Sequence, residues 1–372
     1  MIQLSSIILR EIRLPLKEPF RISSGLTTER RIALLELCDA SGLVAWSECV
    51  AGETPNYSPE TIDTAWLAIT EWLAPRVIGK AIESPGDVFP LLDEDIRGHL
   101  MAKAAVEMGI WGLEATRLGM PLSQLLGGTR AEIDVGISLG IQSSPEALAT
   151  RVVTALDEGY RKVKIKIMPG SDIEFVRAAR QAAGPDAPLM ADANNAYSLD
   201  DGDHLTQLDE LELMMIEQPL AHDDLVRHAE LQRRLRTPIC LDESITSLDR
   251  ARDMVALGSG RIVNIKPGRV GGLASSIAIH DFCESSGIPV WCGGMLESGI
   301  GRAYNVALAS LSNFLKPGDV SPSARYWSKD IVTPEWAMTD RGTMVVPDGS
   351  GIGVDVDRDR IDDLTVRETT LS

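Results

Sequence analysis

Five ionisable residues recur through the middle of the chain at an almost constant interval: Lys166, Asp192, Glu217, Asp242 and Lys266. The intervals are 26, 25, 25 and 24 residues, and each residue ends a short apolar run of the kind that forms a buried parallel strand. A strand with its crossover helix takes roughly 25 to 30 residues, so the five are predicted to stand at the ends of consecutive barrel strands. Catalytic groups gather at such ends. The repeat therefore predicts an active site of three carboxylates flanked by two lysines.

The residues before this repeat have a different pattern. An antiparallel sheet is predicted, because three segments alternate apolar and polar residues: 4–14, 31–38 and 43–49. A helix is predicted to begin at Ser58, and a longer one to run from about Ala102 to Leu118 and to stop at Gly119. Residues 1–125 are thus predicted to form an α+β domain that precedes the barrel and is called the capping domain below.

From about Asp134 the pattern changes to alternating strands and helices, with eight candidate strands of which the last covers 318–321. One of the helices is predicted to be capped by Ser171. The predicted fold class is α/β, a modified (β/α)8 TIM-type barrel over residues 126–330 with the capping domain in front of it. The final segment, 331–372, is expected to return to the capping domain, because a closed barrel has no place for it.

Strand geometry turns the lysines and acids into a predicted metal site. Side chains two apart on a strand point the same way, so Lys164 and Lys166 are both predicted to face the barrel lumen. Lys162 shares this parity and is expected at a solvated strand entrance. Three neighbouring carboxylates repel each other without a cation, and oxygen-only ligands suit Mg²⁺. The predicted metal ligands are Asp192, Glu217 and Asp242.

This inventory predicts a reaction. A metal ion held in this way can bind a substrate carboxylate and stabilise the charge that develops when the adjacent carbon loses a proton. Lys166 and Lys266 are separated by the acid strands, so each can reach one face of that carbon. Because like charges lower the pKa of a lysine, Arg269 is expected to lower the pKa of Lys266. The prediction is proton abstraction α to a carboxylate through an enediolate.

Composition excludes several partners. The net charge of −18 argues against nucleic acid and anionic membranes. Five cysteines without a Cys-x-x-Cys spacing fit free thiols in a reducing compartment, and no apolar stretch reaches about 18 residues, so a cytoplasmic protein is expected.

Six further polar residues have weaker signals. Glu243 is turned away from Asp242 by strand parity, unless the strand has already ended, in which case it is a candidate polar support. No histidine ends a predicted strand, so surface positions are expected for all five: His99, His204, His222, His228 and His280.

The motifs around the repeated residues resemble a known family. The motifs are Lys164-Ile165-Lys166, Asp192-Ala193-Asn194, Glu217-Gln218-Pro219, Asp242-Glu243-Ser244 and Lys266-Pro267-Gly268. Together they resemble the muconate-lactonizing subgroup of the enolase superfamily. Residues 291–298 and 299–303 are similar to its branch of o-succinylbenzoate synthases and N-succinylamino acid racemases.

The resemblance implies that loops of the capping domain, around residues 20–25 and 51–57, form active-site roof loops. It also implies roles for individual residues. It implies Mg²⁺, with Mn²⁺ as an alternative, on the three acids, Lys166 as acid and base, Lys266 on the other face and Lys164 in support. Glu243 and Arg269 would support the site. Substrate contacts are implied for Phe20, Tyr57, Ser138, Asn194, Gly294, Met295 and Leu296. The implied partner is a small-molecule carboxylate, and the implied assembly is a homo-oligomer.

The implied activity is o-succinylbenzoate synthesis, a dehydration in menaquinone biosynthesis, together with N-succinyl- or N-acylamino acid racemisation. The alternatives are a dedicated N-acylamino acid racemase, another enzyme of the subgroup such as a dipeptide epimerase or cycloisomerase, and, remotely, a non-catalytic structural protein. Ser24 and Gly52 depart from the branch at roof positions, which leaves the substrate open. Dipeptide epimerases carry an Asp-x-Asp motif near the last strand, and this chain has Asp319-Val320-Ser321 there, without the second aspartate.

Overall fold

The N-terminal part of the chain forms an antiparallel sheet. The computed structural model describes residues 1–22 and 25–372, so Ser24 lies outside the described residues. The strands are β1 (Ile2–Ile22), β2 (Gly25–Asp39), β3 (Val44–Cys49) and the short β4 (Ala81–Ile82), which pairs with β1. β1 and β2 are longer than predicted, because they continue as a two-stranded ribbon that pairs Phe20 with Thr27.

Helices cover one side of this sheet. They are α1 (Ile62–Ala68), α2 (Ala74–Val77), α3 (Val88–Asp93), α4 (Leu100–Leu118) and α5 (Leu122–Leu125), with a π-helical segment, Ile69–Leu73, between α1 and α2. The predicted start at Ser58 is wrong. Thr61 and Thr64 form a reciprocal capping box, which fixes the first turn of α1 three residues later. The predicted stop of α4 at Gly119 is confirmed, with the glycine at φ 66°.

The middle of the chain alternates strands and helices. After β5 (Glu132–Asp134), seven parallel strands follow: β6 (Gly136–Leu139), β7 (Lys162–Lys166), β8 (Leu189–Asp192), β9 (Ile216–Glu217), β10 (Ile239–Leu241), β11 (Ile262–Ile265) and β12 (Val290–Cys292). They are hydrogen-bonded in chain order. The helices between and after them are α6 (Pro145–Asp157), α7 (Ile173–Ala183), α8 (Gly202–Leu205), α9 (Val226–Arg234), α10 (Leu248–Leu257), α11 (Pro267–Val270), α12 (Leu273–Ser285) and α13 (Gly299–Ala309).

The eighth predicted strand is not a regular strand in the described part of the chain, yet its segment closes the sheet. The Gly136 N–H donates to the Gly318 carbonyl at 2.7 Å, and the Gly318 N–H donates to the Asp134 carbonyl at 3.1 Å. On the other side, the Asp319 N–H donates to the Cys292 carbonyl at 2.9 Å. The segment therefore bridges the first and last strands of the parallel sheet, and the predicted TIM-type barrel with a capping domain is confirmed in this modified form.

The C-terminal segment adds four short strands and a helix. β13 (Val332–Thr333) pairs with β15 (Asp355–Val356), and β14 (Thr343–Val345) pairs with β5. After α14 (Arg358–Leu364), the final strand β16 (Thr365–Leu371) runs antiparallel to β1 at the edge of the first sheet. Domain boundaries at residues 125 and 330 stay predictions. Within the described residues, no helix combines the length and apolarity that crossing a membrane requires.

Three predicted details of the barrel are wrong. Asp172, not Ser171, caps α7, because its carboxylate accepts the Ile173 N–H at 2.7 Å. His228 and His280 are buried rather than exposed. Each holds a loop, because the Nε2 of His228 accepts the Leu220 N–H and the Nε2 of His280 accepts the Asn313 N–H.

Buried glutamates of the capping domain hold the first domain on the barrel. Glu48 of β3 accepts the Ser298 and Gly301 N–H groups at the start of α13, and Glu107 of α4 accepts the Leu273 and Ala274 N–H groups at the start of α12. A carboxylate at a helix N-terminus satisfies donors that have no partner within the helix. Burial raises the pKa of both carboxyl groups to about 7. These contacts fix the capping domain above the strand ends.

Candidate active site

The five repeated residues meet at the carboxyl end of the parallel sheet. Lys166, Asp192 and Glu217 are the last residues of β7, β8 and β9, whereas Asp242 and Lys266 directly follow β10 and β11. Lys166 is in register with Asp192, and Asp192 with Glu217. The three carboxylates are fully buried. The predicted convergence of these side chains is therefore what the fold produces.

Lys166 lies on one side of the acid cluster. Its Nζ is 2.6 Å from Asp192 Oδ2 and 2.7 Å from Asn194 Oδ1. Asn194 follows β8 with a left-handed backbone, φ 41°, which an asparagine tolerates better than most residues. The same region holds three other non-glycine residues at positive φ: Asn195, Gln218 and Leu296. Such backbone geometry clusters at functional sites.

Lys164 lies deeper in the lumen and contacts several acids. Its Nζ is 2.6 Å from Asp319, 3.1 Å from Glu217 and 3.3 Å from Asp192. Burial alone would lower the pKa of Lys164, but the three carboxylates raise it well above its ordinary value. Lys164 is therefore a fixed positive charge within the acid cluster.

The expectation that Lys162 lies at a solvated strand entrance is wrong. Its side chain is 0% exposed, with Nζ 3.1 Å from Asp319 Oδ1 and 3.5 Å from the ring centroid of Trp291. Burial lowers the pKa of Lys162. Strand parity did place the side chain in the lumen, but the lumen is filled by protein at this depth. The partners that make burial tolerable come from β12 and the closing segment.

Lys266 lies on the far side of the cluster, beside Asp242. Its Nζ is 2.7 Å from Asp242 Oδ2 and 3.2 Å from the Tyr57 hydroxyl, which donates to Asp242 Oδ1 at 2.9 Å. Arg269 also donates to Asp242 Oδ1. The expected lowering of the Lys266 pKa by Arg269 is wrong here. Burial acts in that direction, but the adjacent Asp242 carboxylate is stronger and raises the pKa of Lys266 above its ordinary value.

The acids themselves differ in charge balance. Burial would raise the pKa of Asp192, but Lys166 and Lys164 lower it well below its ordinary range. Glu217 is different, because burial and then the neighbouring charge of Asp192 raise its pKa to about 8. Asn264 donates to Glu217 Oε1 at 2.6 Å. At Glu217 the neighbouring cations therefore do not fully balance the negative charge of the cluster.

Glu243 has the orientation expected if the strand ends before it, with its side chain turned into the site. β10 stops at Leu241, so strand parity no longer applies. The buried Glu243 accepts from Asn195 Nδ2 at 3.1 Å and from Asn194 Nδ2 at 3.4 Å. Burial and the charge of Asp242 raise the pKa of Glu243 to about 7.

The three predicted metal ligands fit a divalent cation by donor chemistry. All are carboxylates, all are buried at neighbouring strand ends, and Glu217 lacks a full counter-charge. In the described part of the chain, however, no three acidic, histidine or cysteine side chains are grouped closely enough to hold an ion as they stand. Lys164 contacts both Asp192 and Glu217, whereas Lys166 pairs with Asp192 and Lys266 pairs with Asp242. A cation at this site would compete with these ammonium groups for the carboxylates.

A cavity of about 410 Å³ lies between the capping domain and the strand ends. Lys166 and Lys266 both line it. So do six of the seven predicted substrate contacts: Phe20, Tyr57, Asn194, Gly294, Met295 and Leu296. The seventh, Ser138, does not line this cavity, because it is buried in β6 opposite Lys164.

Five charged residues of the cavity wall were not among the predicted site residues: Glu29, Arg30, Arg31, Glu53 and Glu60. Arg30 is the buried arginine among them. It lies on β2 with the same parity as Ile32 and Leu34, both fully buried. An arginine in line with apolar residues that face the core was the signal that could have found it.

Fold and site together define a class: a capped barrel whose strand ends carry three buried carboxylates between two lysines that open onto one cavity. Comparison with known proteins agrees. Residues 5–127 match the mandelate racemase / muconate lactonizing enzyme N-terminal domain, and residues 147–360 match the enolase C-terminal domain-like family. The chain therefore belongs to the mandelate racemase and muconate lactonizing enzyme family of the enolase superfamily, and the resemblance drawn from its motifs is confirmed.

Several relatives resemble the chain along nearly its whole length. An o-succinylbenzoate synthase of Geobacillus kaustophilus is 50% identical over 364 residues, which cover 98% of this chain and 96% of that protein. An N-succinylamino acid racemase of Thermus thermophilus is 48% identical, with 98% of each chain covered. The crystal structure of an enolase superfamily member from Listeria innocua superposes with a TM-score of 0.96 at 40% identity, over 100% of this chain and 99% of that one.

Proposed function

We propose that the protein is a metal-dependent enzyme that removes a proton α to a carboxylate, acting as an o-succinylbenzoate synthase that also racemises N-succinyl- or N-acylamino acids. One observation carries the proposal. Two lysines, each beside a different acid of the same buried cluster, line one cavity. The relatives named as synthase and as racemase, at 50% and 48% identity, support both activities.

Asp192, Glu217 and Asp242 would hold Mg²⁺, or Mn²⁺ as the alternative. When bound, the ion stabilises the second negative charge that a substrate carboxylate acquires as its α-carbon is deprotonated. Asn264 fixes the Glu217 carboxylate, and Tyr57 fixes that of Asp242. Lys164 supplies a permanent positive charge beneath the cluster.

In the synthase reaction Lys166 takes the α-proton and then protonates the departing hydroxyl group. It is within hydrogen-bond distance of Asp192 and Asn194, which hold its amine at the cavity wall. Lys266 remains an ammonium ion beside the developing charge, and the raised pKa of Lys266 supports this cationic role. The deprotonated intermediate is an enediolate, and the hydroxyl group, once protonated by Lys166, leaves as water and completes the dehydration.

In racemisation the two lysines exchange roles, one as base and the other as acid on opposite faces of the α-carbon. The contact of 2.7 Å between Lys266 and Asp242 favours the ammonium form of Lys266. Lys266 can therefore act as a base only when the charge of Asp242 is balanced by another cation. Arg269 would then take over part of the charge of Asp242, with which it also pairs. Glu243 would support the site through Asn194 and Asn195.

A dedicated N-acylamino acid racemase is the second candidate, which the racemase relatives favour. Dipeptide epimerisation has less support, since Asp319 pairs with Lys162 and Lys164 rather than facing the cavity. The proposal extends to a small-molecule carboxylate as the partner, a cytoplasmic location, a step in menaquinone biosynthesis and a homo-oligomeric assembly.

The test is a steady-state assay of the purified protein with Mg²⁺ on the cyclohexadiene precursor of o-succinylbenzoate and on a panel of N-succinyl amino acids. We expect turnover of both. Dehydration without racemisation would leave only the synthase, and racemisation without dehydration would leave only the racemase. The absence of both activities would reject the proposal in favour of a non-catalytic protein. Lys166→Ala should abolish dehydration, and Lys266→Ala should abolish racemisation. Racemisation by the Lys266→Ala variant would refute the two-base scheme.

A further inference from the structure

Arg30 is a buried cation in the cavity wall with few partners. Its side chain comes from β2 of the capping domain, and the residue is only 7% exposed. One guanidinium nitrogen, Nη2, donates to the Val50 carbonyl at 3.1 Å. Its Nε is buried without a hydrogen-bond partner, and no acidic side chain lies within ion-pair distance in the described part of the chain. Arg30 therefore has donors to spare.

Burying an unpaired guanidinium is costly, so this arrangement needs a reason. The neighbouring Arg31 has the ordinary arrangement, with Glu11 at 2.7 Å and Asp63 at 3.0 Å. The acids that act electrostatically on Arg30 are Glu48, Glu297 and the exposed Glu53, and the two buried ones are committed elsewhere. Glu48 accepts from Ser298 and Gly301 at the start of α13, and Glu297 accepts from Asn305. Burial lowers the pKa of Arg30, which also indicates that its charge is poorly compensated.

The position of Arg30 relative to the proposed chemistry is informative. Lys166 and Lys266 line the cavity from the barrel, whereas Arg30 lines it from the capping domain. Glu60, another acid of the capping-domain wall, is occupied by the Met101 and Ala102 N–H groups at the start of α4. Phe20 and Leu26 supply apolar surface in the same wall. Of the other charged residues in this wall, Glu29 and Arg31 form ion pairs and Glu53 is exposed. The cavity thus has a polar reacting end, apolar surface and, in Arg30, a cation of the opposite wall that has no ion pair within the described residues.

We propose that Arg30 binds a second carboxylate of the substrate, at the far end of its acyl chain from the reacting carbon. A guanidinium fork matches the geometry of a carboxylate, which gives it the missing counter-charge when substrate is bound. This inference rests on the proposed function and refines it. The preferred substrates are dicarboxylates of the succinyl type, and Arg30 is the residue that distinguishes them from acetyl compounds, which lack the distal carboxylate.

The test compares two substrates that differ in the distal carboxylate, N-succinyl-phenylalanine and N-acetyl-phenylalanine, in a racemisation assay with Mg²⁺. Arg30→Met should raise the KM for the succinyl substrate roughly 10- to 100-fold, the usual effect of losing a charge-assisted hydrogen bond. The KM for the acetyl substrate should change less than about threefold, and kcat should change little for either. Arg30→Lys keeps the charge but loses the fork and should be intermediate. Arg13→Gln, an exposed arginine on β1 paired with Glu29, is the matched control and should leave the preference unchanged.

A structural role for Arg30 predicts a different result. Equal losses on both substrates, or unchanged KM values, would overturn the inference while leaving the proposed function intact. If the wild-type protein racemises neither substrate, the racemase part of the proposed function has failed, and calorimetric binding of N-succinylglycine and N-acetylglycine decides the inference alone. The inference is supported if wild type binds the succinyl compound more tightly than the acetyl compound and if Arg30→Lys weakens the binding of the succinyl compound. Equal binding of both compounds would reject it.

Discussion

Replacing Glu48 tests how the capping domain is held above the active site. Glu48 of β3 is fully buried and accepts the N–H groups of Ser298 at 3.1 Å and Gly301 at 3.0 Å, as well as the Ser298 hydroxyl. In Glu48→Ala these donors at the start of α13 lose their acceptor. A buried donor without a partner costs about 1–3 kcal/mol. Two backbone donors and the lost packing together give a loss of about 3–5 kcal/mol in the free energy of unfolding.

This loss is a large share of the roughly 5–15 kcal/mol that stabilises a typical domain. At about 2–4 °C per kcal/mol for domains of this size, the melting temperature should fall by roughly 10 °C. The assay is thermal and urea unfolding followed by tryptophan fluorescence, since Trp46 lies two residues from Glu48 on β3. A fall of less than about 3 °C would refute the reasoning that these donors depend on Glu48.

The same residue predicts a pH dependence. The pKa of Glu48 is raised to about 7 by burial, so the folded state binds its proton more tightly than the unfolded state does. Its contribution to stability is therefore complete below about pH 4.5 and is lost as the pH rises to about 7, by about 3 kcal/mol in all. Glu48→Gln does not titrate. As the pH rises from 5 to 7.5, the free energy of unfolding of wild type should therefore fall relative to that of Glu48→Gln. A difference that does not change with pH would contradict the raised pKa of Glu48.

Three further predictions concern catalysis. Tyr57→Phe removes the hydroxyl that contacts Asp242 and Lys266 but keeps the ring, so kcat/KM should fall roughly 10- to 100-fold, and a change under threefold in steady-state assays would contradict this. Gly52→Met places a side chain in the cavity wall, where a Cβ meets only Thr54 at 3.4 Å. The KM for bulky N-acyl substrates should therefore rise about tenfold, more than for small ones, because the added chain occupies volume that the larger group needs; equal effects would speak against it. Exhaustive chelation should abolish turnover and added Mg²⁺ should restore it; turnover that survives chelation would exclude the metal from the mechanism.

Much of the site could be read from local pattern. A parallel strand shows as an apolar run, and the residue that ends it lies at the catalytic rim, so Lys166, Asp192 and Glu217 could be placed from the spacing alone. Strand parity likewise put Lys164 in the lumen. These predictions succeeded because they depend on neighbours within one strand or one repeat. The start of α1 was misplaced because two local signals compete. The proline after Ser58 favours an earlier start, but the capping box at Thr61 fixes the first turn.

Where a side chain finds its partner was decided by the tertiary structure. The sequence by itself determined a barrel of repeating units, its capping domain, and the order of lysines and acids around its rim. It did not determine that Lys162 is buried against Asp319, that Asp242 raises the pKa of Lys266, or that Arg30 reaches the cavity without an ion pair among the described residues. Periodicity fixes which face a side chain is on. What that face meets comes from other segments of the chain, and burial and charge balance exist only once those segments pack together.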